Sequence, residues 1–168
     1  MGTNGSTMLE PLRQGLPPLN LAAASDAAFC ALHARYEAVR EARQFTRRTL
    51  DQWHLGDRFD DVCLVVSELV TNALRHGLPA NAPRLAAEQP PVRLHLLRWT
   101  ERLVCAVRDP SDESPVTRDP RDLPDDCSAE SGRGLFLVDS FSDGWGWQPL
   151  SGALGGKVVW ALFRLPQP

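Results

Sequence analysis

The segment spanning residues 57–78 constrains the fold most strongly, because its apolar side chains recur at helical spacing. They occupy positions i, i+3, i+4 and i+7, the pattern of an amphipathic helix that buries one face. The apolar positions are Val62, Val65, Val66, Leu69, Val70, Ala73 and Leu74. Asp57 is the expected N-cap of this helix, and Gly77 is expected to stop it.

Three polar residues recur every four positions along the same predicted helix: Glu68, Asn72 and His76. Residues four apart share a helix face, so a carboxylate, an amide and an imidazole line up on one stripe. One interpretation is that they are solvated residues on the wet face. The other is functional. Asparagine is a poor residue for a helix interior, and an amide oxygen beside a carboxylate suits Mg²⁺ with waters and substrate phosphates.

Further periodic segments predict the rest of the fold. Apolar spacing predicts a helix over residues 36–53, capped by Gly56, and a short helix over residues 135–141. Strands are predicted over residues 28–33, 92–99, 103–107, 144–148 and 157–163. Because helices and strands segregate along the chain, we expect an α+β fold with helices on one face of a mixed, mostly antiparallel sheet.

Two regions lack apolar periodicity. Residues 1–20 are polar and rich in Gly, Pro, Ser and Thr, which indicates a disordered or loosely attached tail. Residues 21–168 then form a single domain. The second region, residues 108–131, contains four prolines and many acids. A segment of this length inside a compact domain is typically a functional lid or a disordered insert.

Composition excludes several classes of function. The net charge of -3 gives no support to direct nucleic-acid binding, which usually requires a basic surface. Lys157 is the only lysine, and Val158 follows it in place of Ser or Thr, so a Walker-type phosphate loop is excluded. Apolar runs are too short for a membrane span, and the scattered cysteines argue against a zinc site. These features predict a cytoplasmic protein.

Asp109 directly follows the predicted buried strand over residues 103–107. A carboxylate at a strand end is held rigid and half-buried, where it can accept a hydrogen bond from an exocyclic amine such as that of adenine. The alternative is a turn-initiating aspartate before Pro110.

A glycine pair precedes the last predicted helix, in the run Gly132-Arg133-Gly134-Leu135. Glycines at a helix start let the backbone approach phosphate closely, and the free N–H groups attract anions. Arg133 adds a charge-assisted donor. The alternative is an ordinary loop-to-helix junction.

Taken together, the three motifs resemble the signature of the GHKL ATP-binding superfamily. Residues 67–77 are similar to its N-box, residues 107–109 to its first glycine box and residues 132–138 to its second. The resemblance is closest to the anti-sigma-factor serine/threonine kinases of Gram-positive bacteria and their actinobacterial relatives. That branch also has a W-G pair and a final G-K-x-V-W-A strand, matched here by Trp145-Gly146 and residues 156–161.

The resemblance implies a Bergerat-type α/β sandwich that binds ATP and Mg²⁺. Asn72 would bind Mg²⁺ between the triphosphate oxygens, and Asp109 would accept a hydrogen bond from the adenine amino group. Glu68 would be the general base that takes the proton from a serine or threonine hydroxyl of a partner protein. The phosphates would be held, under a lid over residues 111–131, by Gly132, Arg133, Gly134 and Leu135.

The chain departs from the family pattern at two points. The first glycine box usually reads D-x-G-x-G, whereas Asp109 is followed here by Pro-Ser-Asp-Glu, without a glycine. The final strand of many members carries a threonine that helps hold adenine, and the nearest position in this chain is Val158.

Two functions therefore stay open. The first is an ATP-dependent serine/threonine protein kinase and anti-sigma factor, which would hold a sigma factor and phosphorylate an anti-anti-sigma protein. The alternative is a non-catalytic partner-binding module of the same fold, with weak or lost nucleotide binding. Family precedent also implies a homodimer, for which the helix over residues 36–53 is a candidate surface.

Overall fold

A computed structural model describes Leu16 and residues 20–78, 90–115, 134–152 and 155–167. The order of elements in these residues is β1 (Asp26–Leu32), α1 (Ala38–Gln52), α2 (Phe59–His76), β2 (Val92–Trp99), β3 (Arg102–Asp109), α3 (Gly134–Phe141), β4 (Gly144–Pro149) and β5 (Lys157–Arg164). Short 3₁₀ turns at Leu21–Ala23 and Gly56–Arg58 precede β1 and α2. Each predicted helix and strand is therefore present, with its ends shifted by two residues or fewer.

The five described strands form one sheet in the order β1-β2-β3-β5-β4, and all four pairings are antiparallel. Helix α2 packs on α1 and α3 and lies across β3 in the middle of the sheet. The main core lies between these helices and one face of the sheet. Its fully buried members include Leu50, Val62, Val66, Val70, Leu94, Leu96, Leu103 and Cys105. The predicted α+β sandwich with helices on one face is confirmed.

The opposite face of the sheet carries a second apolar cluster. Its buried members are Leu16, Leu97, Trp99, Val104, Ala106, Leu150 and Val158. The indole Nε1 of Trp99 donates a hydrogen bond to the carbonyl of Asn20 at 3.0 Å. Leu16 and Asn20 therefore contact the back of the sheet. The remainder of the predicted tail, residues 1–15 and 17–19, lies outside the described residues.

The predicted cap of α1 at Gly56 is wrong. The helix ends at Gln52, and His54 adopts the left-handed conformation with φ 56°. The His54 amide donates to the Asp51 carbonyl at 3.1 Å, and the Leu55 amide donates to the Leu50 carbonyl at 2.8 Å. This is the Schellman pattern, with a histidine at the position where glycine is usual.

The predicted N-cap of α2 at Asp57 is also wrong. Asp57 belongs to the 3₁₀ turn, and α2 starts at Phe59 with Arg58 before it and no side-chain cap hydrogen bond. Asp60 and Asp61 do lie in the first turn, where the helix dipole favours negative charge. The acidic start of the helix is thus provided by first-turn carboxylates.

Two further properties of the described residues concern membrane-spanning helices and the state of the cysteines. Within the described ranges, no helix is both long and apolar enough to span a bilayer. Cys30, Cys63 and Cys105 are free thiols. Burial raises the pKa of the Cys105 thiol to about 12, so this cysteine stays protonated and behaves as a small apolar residue.

Candidate functional site

Helices α2 and α3 bring the predicted base and the predicted phosphate loop together. A Cβ atom added at Gly134 would lie 2.9 Å from a carboxylate oxygen of Glu68. Gly134 is the first residue of α3, so the Glu68 carboxylate lies against the N-terminal end of that helix. Because any larger residue at position 134 would meet the carboxylate, the glycine allows this close approach.

Asn72 lies one helical turn beyond Glu68 on α2, and both side chains are half-buried. Within the described residues, no group of three or more His, Cys, Asp or Glu side chains could hold a metal ion. His76 is the last residue of α2 and is exposed, which suits the helix end.

Asp109 is the last residue of β3, and its carboxylate lies under the end of α2. A Cβ atom at Gly77 would fall 2.5 Å from Cγ of Asp109. Gly77 caps α2, so only a residue without a side chain lets the helix end rest on the carboxylate. A Cβ atom at Gly156 would fall even closer to the Asp109 backbone carbonyl oxygen, and the φ of 81° at Gly156 is itself a conformation that favours glycine.

Lys157 forms a buried ion pair with Asp109. The two residues are direct partners in the β3–β5 register, and Nζ of Lys157 lies 3.0 Å from Oδ1 of Asp109. The exposed fractions of the two side chains are 3% and 2%. Burial raises the pKa of the Asp109 carboxyl, and the Lys157 ammonium and the Ser111 amide partly offset this by stabilising the carboxylate.

The turn after Asp109 replaces the glycines of the family pattern. The Ser111 amide donates to Oδ1 of Asp109 at 2.9 Å, so the aspartate does initiate an Asx turn, the alternative interpretation of this residue. The Glu113 amide then donates to the Ser111 hydroxyl at 3.2 Å. Asp112 and Glu113 are both exposed.

Other predicted site residues are placed differently. The Leu135 side chain is buried in the main core, so only its backbone amide can contact a ligand. Val158 lies in the cluster on the opposite face of the sheet, and Lys157 is the residue of the final strand that reaches Asp109. Gly132, Arg133 and most of the predicted lid, residues 116–131, lie outside the described residues.

A cavity of about 230 Å³ opens beside Asp109, lined by Pro90, Pro91, Arg93, Arg108, Asp109, Pro110 and Gly155. Arg93 and Arg108 are direct partners in the β2–β3 register. The pKa of nearby His95 is lowered from 6.5 to about 4. Burial is the largest cause, and the positive charges of these two guanidinium groups add to it. His95 is 2% exposed and stacks against the Phe29 ring at a centroid distance of 6.1 Å.

Lys157 is the site residue that sequence reasoning missed. A signal was present, because its position continues the inward alternation of Val159, Ala161 and Phe163, all buried in the main core. A lone charged residue in phase with the buried positions of a strand requires a buried partner. Only the register of β3 and β5 identifies that partner as Asp109.

The family model of the histidine kinase-like ATPase domain matches residues 32–161. The chain therefore belongs to this family. This confirms the prediction of an ATP-binding domain of the GHKL type, with the Bergerat-type sandwich found above.

The fold is also similar to a solved structure, that of the RsbU and RsbW domains of Rv1364c from Mycobacterium tuberculosis, with a TM-score of 0.55 and 18% sequence identity. That match covers 86% of this chain and 34% of the other, so this chain spans about a third of the length of its structural neighbour. No curated protein matches the sequence significantly.

Proposed function

We propose that the protein is an ATP-dependent serine/threonine protein kinase that also acts as an anti-sigma factor. The observation that carries this proposal is the placement of the Glu68 carboxylate against Gly134 at the start of α3. A base at a helix N-terminus stands where a terminal phosphate would be bound by free N–H groups. Phosphoryl transfer requires a base close to the bound terminal phosphate, because the acceptor hydroxyl must lose its proton beside the transferred group.

The residues present fit Mg-ATP at three points. The first turn of α3 offers backbone N–H groups to phosphate, with Gly134 leaving the approach open. The amide oxygen of Asn72 is one turn from Glu68 and would be a ligand of Mg²⁺, which supplies charge neutralisation between phosphate oxygens when bound. Asp109 is the acceptor for the adenine amino group.

In the proposed reaction, the Glu68 carboxylate accepts a proton. The hydroxyl of a serine or threonine on an anti-anti-sigma protein would donate a hydrogen bond to the Glu68 carboxylate. As the oxygen bonds to the γ-phosphorus, its proton passes to Glu68, and ADP leaves from the opposite side. Glu68 and Asn72 lie on one rigid helix, so the base and the metal ligand keep a fixed separation.

Calorimetry with Mg-ATP and Mg-ADP tests nucleotide binding, and Asn72→Ala is the matched variant. We expect saturable binding that weakens at least tenfold in Asn72→Ala. Transfer of ³²P from ATP to candidate anti-anti-sigma proteins encoded near this gene tests the reaction. Loss of transfer in Glu68→Gln with retained ATP binding is the expected result. Absence of nucleotide binding to the wild type would contradict the kinase proposal.

The second candidate function is a partner-binding module with weak or lost nucleotide binding. It is favoured by the Asp109 carboxylate being engaged by Lys157 within the chain. It predicts capture of a sigma factor or an anti-anti-sigma protein that Mg-ATP does not change. We expect instead that ATP and ADP shift the affinity for the two partners in opposite directions.

Cytoplasmic location and a homodimer complete the proposal. Helix α1 buries one face through Ala38, Ala42, Thr46 and Leu50, and presents its arginine-rich side to solvent. Analytical ultracentrifugation of the wild type, compared with a charge reversal such as Arg47→Glu on that exposed side, tests this surface. A species of monomer mass at micromolar concentration would contradict the dimer.

A further inference from the structure

We propose that Lys157 determines the nucleotide affinity and the base selectivity of this site, by holding the Asp109 carboxylate until an exocyclic amino group takes its place. The inference rests on the proposed nucleotide site, in which Asp109 is the acceptor for that amino group. It gives a role to Lys157, which was not among the predicted site residues, and it makes binding an exchange of one hydrogen-bond donor for another.

The geometry shows the acceptor already engaged. Nζ of Lys157 lies 3.0 Å from Oδ1 of Asp109 and 3.4 Å from the Ser111 carbonyl oxygen. The Asp109 side chain is 2% exposed and that of Lys157 is 3% exposed. The Lys157 ammonium and the Ser111 amide both bond to Oδ1, so a purine amino group cannot take that oxygen while the two donors keep these positions.

Among the groups around the carboxylate, Lys157 is the one that can move. Gly77 approaches the carboxylate through backbone at the end of α2, whereas Gly156, in the turn before β5, lies against the Asp109 backbone only. The Ser111 amide belongs to the Asx turn, so the backbone conformation of that turn fixes its hydrogen bond to Oδ1. The Lys157 ammonium, in contrast, is carried by a flexible four-carbon stem at the first residue of a strand.

The exchange has a direct consequence for selectivity. A lysine–carboxylate hydrogen bond is charge-assisted and stronger than the bond from a neutral amine. A nucleotide with a 6-amino group donates a hydrogen bond to Asp109, which recovers part of the binding free energy lost when the ammonium leaves. A purine without that group offers no donor in exchange, so the ammonium stays on Asp109 and binding does not break the ion pair. Lys157 thus weakens the binding of purine nucleotides that carry the amino group, and leaves the binding of those that lack it almost unchanged.

Calorimetric titration of the full chain with Mg-ATP and with the Mg complex of purine riboside triphosphate, which lacks the 6-amino group, tests the inference. Lys157→Met keeps the apolar stem and removes the donor. We expect Lys157→Met to bind ATP at least tenfold more tightly than the wild type, with a gain below twofold for the analogue. Arg164→Met, at the far end of the same strand, removes an equal charge and should change neither affinity.

The outcomes separate the inference from the function on which it rests. If the wild type binds ATP and Lys157→Met binds it equally or more weakly, the role of Lys157 is wrong and the nucleotide site stands. If neither protein binds ATP, both fail. An equal gain for the two nucleotides would also overturn the inference, because it would show relief of a steric or charge effect that does not involve the amino group.

A second measurement needs no variant, in case Lys157→Met fails to fold. Since Lys157 is the only lysine, ¹⁵N-lysine labelling gives one side-chain ammonium signal in an NMR spectrum. Burial in an ion pair keeps that signal sharp by slowing exchange with water. Saturating Mg-ATP should shift and broaden the signal as the ammonium leaves Asp109. An unchanged signal at saturation would overturn the inference.

Discussion

Nζ of Lys157 and Oδ1 of Asp109 lie 3.0 Å apart across neighbouring strands, and both side chains are almost completely buried. The pair joins the end of β3 to the start of β5, under the C-terminal end of α2. A buried pair of this kind contributes little net stability compared with apolar residues, but removal of one partner is costly. The stability of the proposed adenine site should therefore be sensitive to single substitutions in this pair.

Lys157→Met should lower the free energy of unfolding by about 3–5 kcal/mol at pH 7, because it leaves the Asp109 carboxylate buried without its cation. Burial then raises the pKa of Asp109 further, so the folded state favours the protonated acid. The loss is greatest at neutral pH and shrinks as the pH falls and Asp109 protonates. Urea unfolding at pH 7 and pH 5 measures both effects.

The double variant Asp109→Asn/Lys157→Met provides the control for this prediction. It removes both charges, so its stability should exceed that of Lys157→Met at pH 7 and should vary little between the two pH values. Equal stability of the double and single variants would show that the charge left on Asp109 is not the cause of the loss.

The elements of this fold could be predicted because their signals are local. The apolar stripe of α2 and the alternation of β2 each fix a conformation within a short window of sequence. The roles of Lys157 and His95 could not be predicted in the same way. Both depend on burial and on strand register, and Asp109 and Lys157 are separated by 48 positions in the chain.

Helix ends were harder to predict than helix interiors for a related reason. Glycine is the common residue for the left-handed position after a helix, so Gly56 was the natural choice from sequence. The chain instead places His54 there, two residues earlier. The preference for glycine at a single position is small in free energy. The packing of Trp53 and Leu55 on the main core outweighs it and sets the end of α1.

His95 should make the protein less stable in mild acid. Burial, helped by Arg93 and Arg108, lowers its pKa from 6.5 to about 4, so the folded state favours neutral imidazole. Its contribution is fully present above pH 6.5 and is lost as the pH falls toward 4, by up to about 3 kcal/mol. Urea unfolding between pH 7.5 and pH 4.5 measures the slope.

His95→Gln is the matched variant for this slope, because it keeps a polar side chain that does not titrate in the same range. We expect it to flatten the stability profile between pH 6.5 and pH 4.5. A slope equal to that of the wild type would assign the acid sensitivity to other groups.

Gly77→Ala should destabilise the fold and disturb the Asp109–Lys157 pair together. The new Cβ would lie 2.5 Å from Cγ of Asp109 and 2.6 Å from the Ala73 carbonyl oxygen, and the helix end cannot shift without loss of packing. We expect a loss of about 1–3 kcal/mol in thermal or urea unfolding. Gly144→Ala is the control, because nothing lies within 4 Å of its added Cβ, and its effect should be much smaller.

His54→Gly should stabilise the protein by about 1 kcal/mol. His54 is exposed and has φ 56°, a conformation that costs an L-residue about 1–2 kcal/mol and costs glycine almost nothing. The gain is partly offset by the greater flexibility of glycine in the unfolded chain. Gly152→Ala tests the same rule in reverse, since φ there is 68° and the added Cβ meets no atom within 4 Å. A stabilised Gly152→Ala would contradict this account.

Gly134→Ala should separate catalysis from stability. The added Cβ would lie 2.9 Å from a Glu68 carboxylate oxygen, which is the free end of a flexible side chain and can rotate aside. The free energy of unfolding should therefore change by about 1 kcal/mol or less. A general base displaced by about 1 Å can lose on the order of 100-fold in rate. The phosphotransfer assay with an anti-anti-sigma acceptor measures this loss, with Glu68→Gln as the lower limit. Wild-type transfer by Gly134→Ala would show that the contact between Glu68 and the start of α3 does not position the base.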